Sequence, residues 1–128
     1  MNLITSILLE SAKAVALAGP GVGPNKNFKV GAILFDKRHR ILNAKHNSYK
    51  THPFLTRWTK YPFLHAESSC ILGYGLDNTD GLSLLVVRIR RDLRLSMARP
   101  CITCSQLANL ANIKHIYYSD WNGNIKCV

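Results

Sequence analysis

Residues 65–104 read HAESSCILGYGLDNTDGLSLLVVRIRRDLRLSMARPCITC, and the local patterns along this stretch decide the class of fold. His65-Ala66-Glu67 opens a segment that predicts a helix from about Ala66 to Gly73. Leu82 to Arg90 is a β-rich run suited to a central strand. Arg91 to Arg99 then leads into Pro100, which can open a helix without losing a needed N–H, and the helix should run from Cys101 to about Ala111.

Outward from this centre the same rules place the remaining elements. Leu3, Ile4, Ile7, Leu8, Val15 and Ala18 recur at helical spacing, which predicts a helix over Met1 to Ala18 that stops at Gly19-Pro20-Gly21. Glu10 and Lys13 interrupt its apolar pattern and no basic leader precedes it, so the segment reads as a folded helix rather than a signal peptide. Phe28, Val30, Ala32 and Leu34 alternate along a strand to Phe35, and the Asp36 to Arg40 turn leads to a second strand, Ile41 to Lys45. Asn47 to Leu64 shows neither period and reads as a long loop, a length that in compact domains usually serves function. Lys114 to Ser119 reads as a strand, and the Asn-Gly pair in Trp121-Asn122-Gly123-Asn124 signals a hairpin before a last strand, Ile125 to Val128. The expected order is α-β-β-α-β-α-β-β without repeats, in a single domain over residues 1–128.

Composition narrows the setting. No apolar run approaches the roughly 18 residues of a membrane span, so no membrane role is expected. Four cysteines without a secretion signal argue for metal or catalysis in a reducing cytoplasm, that of a cell or of an infected host cell. Seventeen Lys and Arg against seven Asp and Glu give a formal charge of +10. That favours an anionic partner, nucleotide phosphate or polynucleotide, although a solvated basic surface has the same composition.

Two short motifs carry the chemistry. His-x-Glu at 65–67 is by itself a common surface pair, and Cys-x-x-Cys at 101–104 by itself fits half a structural zinc site or a redox pair. Together, at the starts of two predicted helices with one strand between them, they match the H-x-E…P-C-x-x-C zinc-deaminase signature.

On these residues the chain resembles the cytidine and deoxycytidylate deaminase superfamily, especially its small phage-type members, over about residues 28 to 120. The likeness extends to Phe28-Lys29-Val30-Gly31-Ala32, Asn47, Lys50-Thr51-His52-Pro53, Ala98-Arg99 and Ile113-Lys114-His115-Ile116-Tyr117-Tyr118. It implies a three-layer α/β/α domain on a mixed five-stranded sheet. The hairpin at Asn122-Gly123 leaves no room for a helix before the last strand, which should therefore run antiparallel. Polynucleotide-type relatives carry a helix there, which favours a free-nucleotide enzyme.

The resemblance also implies the site. His65, Cys101 and Cys104 would hold Zn²⁺, with Glu67 moving protons. Three protein ligands leave the fourth tetrahedral position open, as catalysis requires, and zinc lowers the pKa of water there to about 7. Cys70 and Cys127 are the remaining thiols, and neither is expected to bind the metal. Asn47 corresponds to an asparagine that meets base or ribose, while Ala66 and Pro100 would offer backbone groups to the base. Arg99, with Arg88, Arg90, Arg91 and Arg94, is one candidate phosphate grip, and Lys50 with His52 is another. Trp58, Tyr61 and Phe63 interleave with Arg57 and Lys60, which fits either base stacking or packing of the loop. His39, His46 and His115 read as ordinary turn and strand residues.

The chain departs from the small tetrameric cytidine deaminases in two places. It has Asn47-Ser48-Tyr49 where they carry an Asn-x-Glu ribose clamp, and His65 where they carry cysteine. A pyrimidine nucleotide of the dCMP/CMP type is therefore a better expected substrate than a free nucleoside. The alternatives are a single-stranded DNA or RNA cytosine or adenine deaminase, and a zinc-stabilised nucleic-acid binding module without catalysis. Relatives often assemble, so a homo-oligomer is expected.

Overall fold

The computed structural model describes residues 4–19, 29–47, 66–100 and 102–128. Its elements are α1 (Ser6–Ala18), β1 (Lys29–Phe35), β2 (Ile41–His46), α2 (Ala66–Tyr74), β3 (Ser83–Ile89), β4 (Leu95–Ser96), α3 (Ile102–Leu110), β5 (His115–Ser119) and β6 (Ile125–Cys127). The sheet runs β2-β1-β3-β5-β6, with β4 paired to β3 off that path. Among the described strands only β3 and β5 are parallel, and α3 lies in the connection between them. The last strand is antiparallel to β5, as the hairpin signal requires.

Strand β3 explains the layering. Leu84 and Val86 point into one apolar cluster with α2 and α3, where Ala66, Cys70, Ile71 and Leu107 are buried. Leu85, Val87 and Ile89 point into the other, against Leu8, Ala12 and Ala16 of α1. A strand covered on both faces has no polar side to alternate with, which is why it reads as a continuous apolar run. The three α/β/α layers follow directly.

Two expectations are corrected. The first helix starts at Ser6 rather than Met1, because Thr5 caps it by accepting the Leu8 N–H at 3.2 Å. Its buried face is also set by small residues, Ala12 and Ala16, whereas Ile7 is 75% exposed. The expected five strands form the main path, but a sixth, Leu95–Ser96, adds to β3 at Arg88 and Ile89. The side chain of Ser119 fills this junction: its hydroxyl accepts the Arg88 N–H at 3.2 Å and donates to the Ser96 carbonyl at 2.6 Å. Its own carbonyl accepts from Ala98 at 2.9 Å.

The three hairpins among the described residues close with one turn design. In each, the first residue of the loop pairs with the fifth, and the fourth donates back to the first: 36 with 40, 90 with 94, 120 with 124. The fourth residue is left-handed, at φ 62° for His39, 68° for Leu93 and 81° for Gly123. Glycine suits such a position, and histidine and leucine occupy it at a cost of about 1–2 kcal/mol. The Asn122-Gly123 signal therefore marks a hairpin whose loop has three residues.

Candidate active site

Helices α2 and α3 share one face of the sheet, and their first turns meet. Ser68 Oγ lies 3.0 Å from Cys104 Sγ, both side chains buried, across 36 residues of sequence. That hydrogen bond joins the His-x-Glu segment to the Cys-x-x-Cys segment in space. Glu67, one residue before Ser68, is only 6% exposed. A carboxylate in the first turn of a helix sits at the positive end of the helix dipole, which favours its anionic form there.

His65 and Cys101 directly precede α2 and α3 but lie outside the described residues, as do Lys50, His52 and the aromatic and basic run from Arg57 to Phe63. Among the described residues no three metal-binding side chains cluster. What is described does fit zinc. Cys104 offers a buried soft sulfur at a helix N-terminus, and the Ser68 hydroxyl is placed to donate to it, the kind of outer hydrogen bond that orients a metal-binding ligand. Ser68 was not singled out from the sequence, since only the packing of α2 on α3 gives it a partner.

The other thiols stay apart from this contact. Cys70 is fully buried in the core, its S–H directed at the Ala32 carbonyl at 3.7 Å, and Cys127 is exposed on β6. Burial pushes the Cys70 thiol up from 9.0 to about 12. Alkylation of the native protein should therefore modify Cys127 and spare Cys70 until unfolding, read by mass spectrometry of the labelled peptides. Cys70 therefore adds stability that is intact below pH 9 and lost as the pH rises toward about 12. Cys70→Ala should flatten the fall in melting temperature across that window.

The remaining candidates fall in different places. Ala66 is buried in the core cluster that also holds Ala98, so the approach to Pro100 packs beside the start of α2. Pro100 is itself buried. Asn47 is 8% exposed at the end of β2, where its N–H donates to the Val30 carbonyl and its side-chain oxygen accepts the Val30 N–H, each at 3.1 Å. It thereby extends the β1–β2 pairing beyond the strands. Arg99 is exposed, with its guanidinium 6.0 Å from the Tyr118 ring centroid. Arg90 and Arg94 flank Asp92 at 3.5 and 4.0 Å in the β3–β4 hairpin, so part of the arginine cluster is engaged by that carboxylate.

Residues 7–120 match the model of the cytidine and deoxycytidylate deaminase zinc-binding region. The chain belongs to this family. It is accordingly a zinc-dependent deaminase, with Zn²⁺ as its cofactor. Eighteen chains of solved structures match it. One is the apo crystal structure of dCMP deaminase from the cyanophage S-TIM5, at TM-score 0.57 and 20% identity, covering 92% of this chain and 86% of that one. The likeness shows that this deaminase shares the fold of the phage protein. No curated protein sequence matches the chain. Among the described residues no helix is long and apolar enough to cross a membrane.

Proposed function

We propose that the protein hydrolyses the 4-amino group of a cytosine nucleotide of the dCMP or CMP type, giving the uracil nucleotide and ammonia. The observation that carries this reading is the buried Ser68–Cys104 contact, which sets Glu67 and the cysteine motif at adjoining helix starts. His65, Cys101 and Cys104 are the residues that would hold the zinc, which when bound supplies Lewis acidity to the attacking water.

Glu67 does the proton work. It takes a proton from the water and delivers it to ring N3 as the C4–O bond forms, then takes the second proton from the new C4 hydroxyl and passes it to the amine as the C4–N bond breaks and the C4 carbonyl forms. Water is consumed and ammonia released, so the carboxylate ends as it began. Its burial withholds it from bulk water, so the proton it takes is passed to the substrate. Ala66 and Pro100 would orient the base through backbone groups, and Asn47 would meet the base or sugar while bracing β1 against β2. Arg99, Lys50 and His52 are the proposed phosphate contacts.

The nucleotide reading is supported by the antiparallel β6 and its short hairpin, which puts no helix before the last strand. Its test is turnover of dCMP, CMP, cytidine and a cytosine-containing single-stranded oligonucleotide by the zinc-loaded protein. Conversion of dCMP or CMP in preference to cytidine is the expected result. Conversion of the oligonucleotide alone would replace this reading with that of a polynucleotide deaminase.

A further inference from the structure

Two neighbouring hairpin tips at one end of the sheet bring apolar and cationic side chains into solvent together. The first joins β3 to β4 through residues 91–93, and the second joins β5 to β6 through residues 121–123. They lie side by side: a Cβ built on Gly123 would stand 3.6 Å from the Cβ of Leu95, and the Ala98 N–H donates to the Ser119 carbonyl at 2.9 Å. Pro100 follows soon after Ala98, so both tips border the approach to the candidate active site.

Leu93 and Trp121, at the tips, are 67% and 69% exposed. Leu93 also holds a left-handed backbone, in the place that the β5–β6 hairpin gives to glycine. Large apolar side chains grouped in solvent and rimmed by charge mark an interaction surface.

The charge around them is cationic and of one kind. All five basic residues between 61 and 113 are arginines, and of these Arg90, Arg91, Arg94 and Arg99 are exposed. Solubility alone does not call for arginine over lysine, whereas a planar guanidinium grips phosphate with two hydrogen bonds and lies flat on aromatic rings. The nearby carboxylates do not cancel this charge. Asp92 meets Arg90 at 3.5 Å and Arg94 at 4.0 Å in exposed pairs, which water weakens and a phosphate can replace. Asp120 is buried and accepts the Asn122 and Asn124 N–H groups at 2.9 Å. Among the described residues Arg91 and Arg99 have no carboxylate partner.

We propose that the two tips form a docking surface for single-stranded nucleic acid, with phosphates on Arg90, Arg91 and Arg94, a base stacked on Trp121 and Leu93 packed against the next. The partner has to be anionic, which sets aside a second copy of this +10 chain. It also has to be held by two three-residue loops and their flanks, whereas a stable protein interface takes about 800 Å² from each side. A flexible strand meets both conditions, because every nucleotide brings one phosphate and one open ring face. The surface does not depend on whether the deaminase centre accepts the bases of the bound strand.

The experiment is a fluorescence-anisotropy titration of a short labelled oligothymidylate with the zinc-loaded protein. Thymine has no amine to lose, so binding is read apart from turnover. Trp121→Ala should weaken binding about tenfold, the usual worth of one stacked base. Arg90→Ala/Arg91→Ala/Arg94→Ala should lower the slope of log affinity against log salt by about 2, since each phosphate contact on a single strand contributes about 0.7. Leu93→Gly removes the side chain and relaxes the backbone together, so it should weaken binding while the melting temperature holds or rises. A duplex of the same sequence covers its ring faces and should bind about tenfold more weakly than the strand. The proposal is overturned if the native protein does not bind the strand, or if the tryptophan and arginine variants bind it with native affinity. Equal affinity for the duplex, for dTMP, for polyglutamate or for phosphatidylserine vesicles overturns it as well. Failure of dCMP turnover, measured separately, would remove the deaminase reading and leave this one in place.

Discussion

Glu67→Gln leaves the protein folded and zinc-loaded but lowers deamination by about 10²–10⁴-fold, the usual contribution of a positioned general acid–base group. The amide matches the carboxylate in size, so the packing around a side chain that is 6% exposed is preserved. What is lost is the capacity to carry protons from the attacking oxygen, one to the ring nitrogen and one to the amine. Steady-state turnover of the preferred nucleotide, with metal content and melting temperature measured on the same samples, checks this. Turnover at the native rate by a correctly loaded variant would remove Glu67 from the mechanism. Turnover lost together with the metal would make the side chain a support of the site rather than its proton carrier.

The largest effect on stability is expected at Gly31, far from any of the proposed ligands in sequence. A Cβ built there would stand 2.5 Å from the Ala12 carbonyl oxygen and 2.6 Å from the Ala16 nitrogen. Both are backbone atoms of α1, so no rotamer change can clear them and the helix itself must retreat from the sheet. Overpacking of a core usually costs 1–3 kcal/mol, and displacing a whole helix places Gly31→Ala at about 3 kcal/mol or more. That is a large part of the 5–15 kcal/mol that holds a typical domain together. Gly73→Ala in α2 is the control: the added methyl would meet the end of the Asn43 side chain at 3.2 Å, and alanine is the better helix former. Urea melts of the two variants should separate widely, Gly31→Ala shifting far to lower denaturant and Gly73→Ala staying near the native midpoint.

The same position shows why parts of the fold could not be read from sequence. The strands of the main path and the later helices were legible because their apolar runs and periods are local, and the observed α2, β3, α3 and β5 differ from expectation by at most one residue at either end. The buried face of α1 was legible only in part: Ile4, Leu8 and Val15 recur at helical spacing and do pack on the sheet, but Ala12 and Ala16 were not singled out. Alanine carries little hydrophobic signal, and Ala12 and Ala16 become core residues only because Gly31 opposite them lets two backbones approach. Strand β4 is two residues long and exists through its pairing with Arg88 and Ile89, so no window of sequence could reveal it. In the candidate site, Glu67 and the cysteine motif could be singled out in the sequence because zinc and proton transfer restrict the side chains that can serve them. Ser68 could not, since a serine after Glu67 acquires meaning only from Cys104, 36 residues on.

Ser119 has a reach that its place in the chain conceals. One hydroxyl and one carbonyl on β5 tie down Arg88, Ser96 and Ala98, and the last two belong to the segment that delivers Pro100 to α3. The C-terminal part of the molecule, which contributes none of the proposed metal ligands, thus works as the jig in which the cysteine-bearing turn is set. A lesion at this serine would reach the cysteine motif through the backbone that it holds.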